Sequence, residues 1–312
     1  MKQFPVVKAS GSNYEVGRAI GVAMAGAIHA ALGKNKNLKL SKKYQEFAQK
    51  FFPQYIDELK GMANGAGVSF DELFLANNRE VSGLADHCTI IAIPTGDGYI
   101  LGHNEDWEED SRDFLYIFDG VINGMRIFGL NYADSLMGDS VGINGYGLIE
   151  AVNDLRHQDA RVGVPKKFIA RAILDCKTLE EAEEIIKRVP RAAGFNHVLV
   201  QEKRLWNIES SAKEYAIKKI EGKKYVHTNH YLTELKRIDK GNPESVSRYE
   251  KVRKLLPSIN SVDDIKRVLS DREDPRICRS GTIGSVILDP QNHVAHIAYG
   301  QPTVNSYYEF KY

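Results

Sequence analysis

The chain has 312 residues, 43% of them hydrophobic and 27% charged, the balance of an ordinary soluble globular protein, which excludes disordered, collagenous and fibrous classes. Lys and Arg total 42 against 41 Asp and Glu, so no global field exists to hold a nucleic-acid backbone or an anionic membrane, and small molecules or peptides are the expected partners. Three cysteines, Cys88, Cys176 and Cys278, are too few and too unevenly spaced for a disulfide framework or a four-ligand zinc site, and they fit a reducing, cytoplasmic compartment.

Residues 1–10 carry Lys2 and Lys8 and no apolar run, so no signal peptide is expected; the most apolar stretch, 19–28, is too short to span a bilayer. Ser12 followed by Glu15 reads as a capping box opening a helix that runs to Gly33. A second helical run over 42–62 is interrupted at Pro53 and stopped by Gly65 and Gly67, and a third starts at Ser69. From Cys88 the texture changes to short β-branched and aromatic runs: 89–93 and 99–101 flank Gly96-Asp97-Gly98, 114–118 and 125–130 flank Asn123-Gly124, and 141–144 and 148–152 flank Gly145-Tyr146-Gly147. Amphipathic helices follow at 165–175 and 178–189, strands at 197–201, 215–220, 282–288 and 294–299, and helices near 245–256 and 261–269. Hairpins with grouped helices give an α+β class rather than a doubly wound parallel sheet.

The first hairpin is the most informative. If it is centred on Asp97, Cys88 faces Asp106, and opposite residues in an antiparallel pair hold their Cβ atoms about 4.5–5.5 Å apart on one side of the sheet. A loop at Gly96-Asp97 or Asp97-Gly98 would shift the pairing by one residue. A carboxylate beside a thiol disfavours the thiolate, so the pair is chemically sensible only with a positive charge between them. An α-amino group on residue 88 itself would supply one.

Cys88-Thr89, Gly102-His103-Asn104-Glu105-Asp106-Trp107, Gly142-Ile143-Asn144-Gly145-Tyr146-Gly147-Leu148, Val226-His227-Thr228-Asn229-His230 and Ile277-Cys278-Arg279 before Thr282, in that order, resemble the isopenicillin N acyltransferase (acyl-CoA:6-aminopenicillanate acyltransferase) family. That family belongs to the N-terminal nucleophile hydrolases and is more distantly related to bile-salt and penicillin V acylases. Gly11-Ser12-Asn13-Tyr14-Glu15-Val16-Gly17 is also similar, so the resemblance covers essentially the whole chain.

The resemblance implies a four-layer αββα sandwich, with a helical pro-segment 1–87 packed on a catalytic body 88–312. Cys88 would be freed at its amine by autocatalytic cleavage of the His87–Cys88 bond and then accept the acyl group, with its amine, of ordinary pKa about 7.7–8.0, as the base. Asp106 would hold that amine, Asn229 would donate to the tetrahedral oxyanion, and Arg279 would stabilise negative charge or hold the leaving group, although it aligns with either of two family arginines. Asn153, at the end of the 148–152 strand, is a second oxyanion candidate. No cofactor and no metal are implied. The substrate would be a small linear amide, with acyl-CoA as donor if transfer occurs, and the two fragments would stay associated. One departure is His87, where the family usually has glycine to let the scissile peptide distort.

Two other readings stand beside this one. A conventional thiol hydrolase would use Cys88 with His103 or His230 as base and no chain cleavage. A non-catalytic binding protein with the same fold would show neither cleavage nor thiol reactivity. His227 with His230, and His293 with His296, are three apart beside strands, where that spacing does not converge two ligands on one ion.

Overall fold

A computed structural model describes residues 2–32, 38–78 and 88–312. Its front part comprises β1 Val6–Val7, β2 Ser10–Gly11, α1 Asn13–Ala23, α2 Ala25–Ala31, α3 Leu38–Phe51, α4 Pro53–Ala66 and α5 Phe70–Asn77. Strands follow: β3 Thr89–Pro94, β4 Tyr99–Asp106, β5 Leu115–Ile122, β6 Met125–Tyr132, β7 Val141–Asn144 and β8 Ile149–Asp154. After α6 Lys166–Leu174 and α7 Leu179–Arg188 come β9 Phe195–Gln201, β10 Arg204–Ser210, β11 Tyr215–Glu221 and β12 Tyr225–His227. The chain ends with α8 Pro243–Leu255, α9 Val262–Leu269, β13 Thr282–Asp289, β14 Val294–Tyr299 and β15 Tyr308–Lys311.

The strands form two sheets. One has the order β1-β5-β6-β7-β8-β9-β10-β11 with β2 also on β5, the other β12-β3-β4-β13-β14-β15. Side chains alternate across each strand, and the alternation sorts the apolar residues into three layers of core. Ile117, Leu130, Ile149 and Val198 of the first sheet meet Ile90, Leu101, Val286 and Ile297 of the second between the sheets. The first sheet's outer residues Tyr116, Phe118, Leu199 and Trp206 pack under the front helices and α6–α7. The second sheet's outer residues Ile91, Ile93 and Ile287 pack under Val252 of α8 and Ile265 and Leu269 of α9. The result is the α+β, four-layer αββα sandwich that the sequence led us to expect.

Ser12 and Glu15 cap α1 reciprocally, as read from the sequence. Pro53 does separate two helices, with Phe52 between them. Gly65, expected to stop the second run, instead lies inside α4, which ends at Gly67 with φ 69°. A Cβ at Gly65 or Gly61 would stand 2.2 Å from a carbonyl oxygen of α1, and one at Gly17 or Gly21 2.1 Å from a carbonyl oxygen of α4. The glycine rows are therefore a helix crossing at backbone contact, a tertiary demand that outweighs the local cost of glycine in a helix. Gly33, the expected stop of the first helix, lies outside the described residues, and α1 already breaks from α2 at Met24.

Strand β10 was not expected. Its turn from β9 places Glu202 at φ 54°, so the connection carries none of the Asn or Gly that marks such a turn in sequence. Among the described residues no helix is long and apolar enough to cross a membrane.

Candidate active site

The β3–β4 hairpin pairs Thr89 with Asn104, Ile90 with His103 and Pro94 with Tyr99. Thr95 N donates to Gly98 O at 2.8 Å, closing a four-residue loop, so the register is one residue off the one centred on Asp97. The expected direct facing of Cys88 and Asp106 is thereby corrected: the residue opposite Cys88 is Glu105. Cys88 Sγ donates to Glu105 Oε1 at 3.2 Å. Asp106 belongs to the other parity and pairs with Thr282 of β13.

Parity splits the site into two sides. On the side between the sheets, with Ile90, lie the Cys88 thiol, His103 and Glu105. Glu105 Oε1 also accepts from Tyr132 Oη at 3.0 Å, and its Oε2 lies 3.0 Å from His103 Nε2. Burial pushes the Glu105 carboxyl up, but the His103 imidazole and the Ser140 and Cys88 donors outweigh it, so the carboxyl lies below its ordinary range. The ligand atoms of Cys88, His103 and Glu105 fall within 4.8 Å of one another, near enough to hold one ion, a convergence that no spacing in the sequence announced.

On the side facing α8 and α9 lie the main chain of Cys88 and the Asp106 carboxylate. Arg248, on the buried face of α8 with Ser245 and Val252, has no solvent exposure. Its Nη1 donates to Cys88 O at 3.1 Å and Thr89 Oγ1 at 2.6 Å, and its Nη2 donates to Asn229 Oδ1 at 3.0 Å. Asn229 N donates to Ser245 Oγ at 2.6 Å and Asn229 Nδ2 to Asp154 O at 3.3 Å. Asp106 Oδ1 accepts from Thr282 Oγ1 at 2.5 Å, whereas its Oδ2 is buried with no hydrogen-bond partner among the described residues. Burial raises the Asp106 carboxyl to about 6, against the opposing pull of Arg248, Thr282 and Arg279.

The remaining expected residues fall around this centre. Arg279 spends its guanidinium on Glu244, donating from Nη2 at 2.9 Å, and reaches Asp106 through its charge and through Thr282, whose Oγ1 accepts from Arg279 N at 2.8 Å. Asn153, next to Asp154 in β8, accepts at Oδ1 from Asn196 Nδ2 at 3.2 Å and lies 3.0 Å from His227 Nδ1. His227 Nε2 in turn lies 3.0 Å from Glu209 Oε1, and Asn153 Nδ2 is buried without a partner among the described residues. His230 Nδ1 lies 2.8 Å from Ser245 Oγ. His87 lies outside the described residues. A cleft of about 620 Å³ adjoins this region, walled by Tyr225, His230, Tyr231 and Tyr249 with Lys218 and Lys236 on its lining.

Sequence reasoning missed Arg248, Glu105 and Tyr132. The available signal for Arg248 was an arginine on the inward stripe of an amphipathic helix, three residues after Ser245 and four before Val252. Glu105 was hidden by the one-residue register shift.

Comparison with known proteins places the chain in a family. A family model described as acyl-coenzyme A:6-aminopenicillanic acid acyl-transferase matches residues 93–303. A beta-alanyl-dopamine/carcinine hydrolase of Drosophila melanogaster is 27% identical over 220 residues, covering 59% of this chain and 57% of that protein. The acyl-coenzyme A:6-aminopenicillanic-acid-acyltransferase 40 kDa form of Emericella nidulans is 24% identical over 324 residues, covering 94% of this chain and 88% of that one. Among solved structures, a Caenorhabditis elegans ortholog of N-acylethanolamine-hydrolyzing acid amidase superposes with a TM-score of 0.49 at 18% identity, over 64% of this chain and 92% of that one. Penicillin V acylase from Agrobacterium tumefaciens gives 0.43 at 14% identity, over 68% and 82%.

Proposed function

The chain belongs to the acyl-coenzyme A:6-aminopenicillanic acid acyl-transferase family, and from that premise we propose that it cleaves or transfers the acyl group of a small linear amide through an S-acyl-Cys88 intermediate. Maturation precedes turnover. The Cys88 thiol attacks the His87 carbonyl carbon, the peptide C–N bond breaks as the acyl group passes to sulfur, and water hydrolyses the thioester. His87 is left as a carboxylate and Cys88 as a free amine.

In turnover the amine takes the thiol proton, the sulfur attacks the amide carbonyl, and the oxyanion of the tetrahedral intermediate receives N–H donors from Asn229 and Asn153. Collapse expels the amine, which leaves with the proton held on the Cys88 amine. Water completes hydrolysis; an amine acceptor completes transfer, with acyl-CoA as a donor by analogy with the Emericella relative's name.

The observation that carries this reading is the unfilled acceptor of Asp106. A buried carboxylate oxygen without a donor costs free energy, and a new ammonium at residue 88 is a donor of the right charge. The fragments 1–87 and 88–312 stay together in this reading, because Val16, Ile20, Leu59 and Phe74 share one core with Phe168 and Ile169. Intact-mass measurement tests it: wild-type protein gives masses for 1–87 and 88–312 while Cys88→Ala stays whole. Cleavage elsewhere, or equal cleavage in both, sinks the proposal.

One contact favours a second reading, a thiol hydrolase without chain cleavage: the continuous Cys88–Glu105–His103 chain of hydrogen bonds. It requires His103 for every turnover, so a His103→Gln protein that still turns over substrate eliminates it.

A further inference from the structure

Among the described residues two arginines are wholly buried, and they are buried for different reasons. Arg171 lies between Glu58, 3.0 Å away, and Asp175, 2.7 Å away, an ordinary buried ion pair. Arg248 has no carboxylate within ion-pair distance among the described residues, and its Nε has no partner there. Its partners are neutral oxygens: the carbonyl of Cys88, the hydroxyl of Thr89 and the amide oxygen of Asn229. Asp106 acts on it only through charge and makes no hydrogen bond with it; burying a cation without a direct ion pair is costly, so its retention on an inward helix face calls for a role that the charge and its fork geometry serve.

We infer that Arg248 is a positioning residue that registers the nucleophile against the oxyanion donor: one guanidinium holds the main chain of Cys88 and turns the amide of Asn229 so that its NH2 group, not its oxygen, serves the reacting carbonyl. The inference rests on the proposed roles of Cys88 and Asn229. A guanidinium has only donors, so the atom of Asn229 that meets it is the oxygen, and the amide nitrogen is fixed on the opposite side. Ser245, one helical turn earlier, pins the Asn229 backbone from the same face of α8. Both contacts to residues 88 and 89 lie on the C-terminal side of the proposed cut, so they persist after cleavage, when a new chain end would otherwise fray.

The test is a double-mutant cycle on the matured full-length protein, with p-nitrophenyl acetate as the acyl donor and the burst of p-nitrophenolate as the readout. Acetylation of Cys88 is checked by mass. Arg248→Lys is expected to slow acylation at least about tenfold with the saturation constant within about threefold, because a lost or misaimed oxyanion donor acts on the transition state. In an Asn229→Ala background, where there is no amide left to orient, Arg248→Lys is expected to cost less than about threefold. Equal factors in the two backgrounds, or an Arg248→Lys protein as fast as wild type, overturn the inference. Melting curves check that each variant is folded, and Arg248→Gln replaces the lysine variant if that one is not. Wild-type protein that takes no acetyl group on Cys88 brings down the proposed function, and the inference with it.

Discussion

Thr282 donates its hydroxyl to one oxygen of Asp106 and leaves the other buried without a partner among the described residues. The carboxyl's pKa is accordingly raised from 3.8 to about 6 by desolvation. A group whose folded pKa is raised contributes stability that is fully present below its unfolded pKa and is lost as pH rises through the folded value. In a Cys88→Ala background, which keeps the chain intact, Asp106→Asn is therefore expected to gain on the order of 2–3 kcal/mol at pH 7. The gain shrinks between about pH 6 and pH 4, as urea titrations at each pH will show. In a chain with Cys88 present the same substitution abolishes or strongly slows maturation, since the site has lost its anion.

Asn229→Ala removes a proposed oxyanion donor while leaving the aromatic cleft intact. We expect kcat to fall by ~10²–10³ with KM changed little. Steady-state kinetics decide, and full kcat in the variant would remove Asn229 from the oxyanion site.

Glu58 of α4 and Arg171 of α6 form a buried ion pair across the two proposed fragments. Arg171→Met leaves Glu58 without its cation and is expected to cost roughly 3–5 kcal/mol, whereas Arg171→Met with Glu58→Leu recovers much of it. Thermal melting reads the first effect, and size-exclusion of the matured protein reads loss of residues 1–87. A neutral single variant would mean that the shared apolar core alone joins the fragments.

Gly21→Ala tests the α1–α4 crossing, because the added Cβ would meet Met62 O at 2.1 Å. The helices have to separate, at roughly 1–3 kcal/mol or more. Gly26→Ala, with nothing within 4 Å of the added carbon, is the control and is expected to be neutral or stabilising. Equal melting temperatures for the two variants would refute the close crossing.

A chain that begins at Cys88 after removal of the initiator Met, coexpressed with residues 1–87, is expected to be active, and one that keeps the Met is not. Comparable activity in both, with the N-termini verified by mass, would exclude the Cys88 amine as base.

Local sequence was enough for much of this protein. The Ser12–Glu15 cap, the break at Pro53, the Asn123-Gly124 hairpin and the change from helix to strand at Cys88 follow from short-range preferences. The ordered motifs carried the fold class and the family, and they named Cys88, Asp106, Asn153, Asn229 and Arg279 as candidates. Tertiary structure decided what those preferences leave degenerate. A one-residue register shift reverses the parity of a strand, and only the closed Thr95–Gly98 loop placed Glu105 rather than Asp106 opposite Cys88. Gly65 reads as a helix stop until α1 lies against it. Arg248 is 160 positions from Cys88 in the chain, and its contact with that residue exists only because α8 packs on the outer face of the β3–β4 sheet. A side chain's partners across such a separation are set by packing, which short-range sequence does not encode.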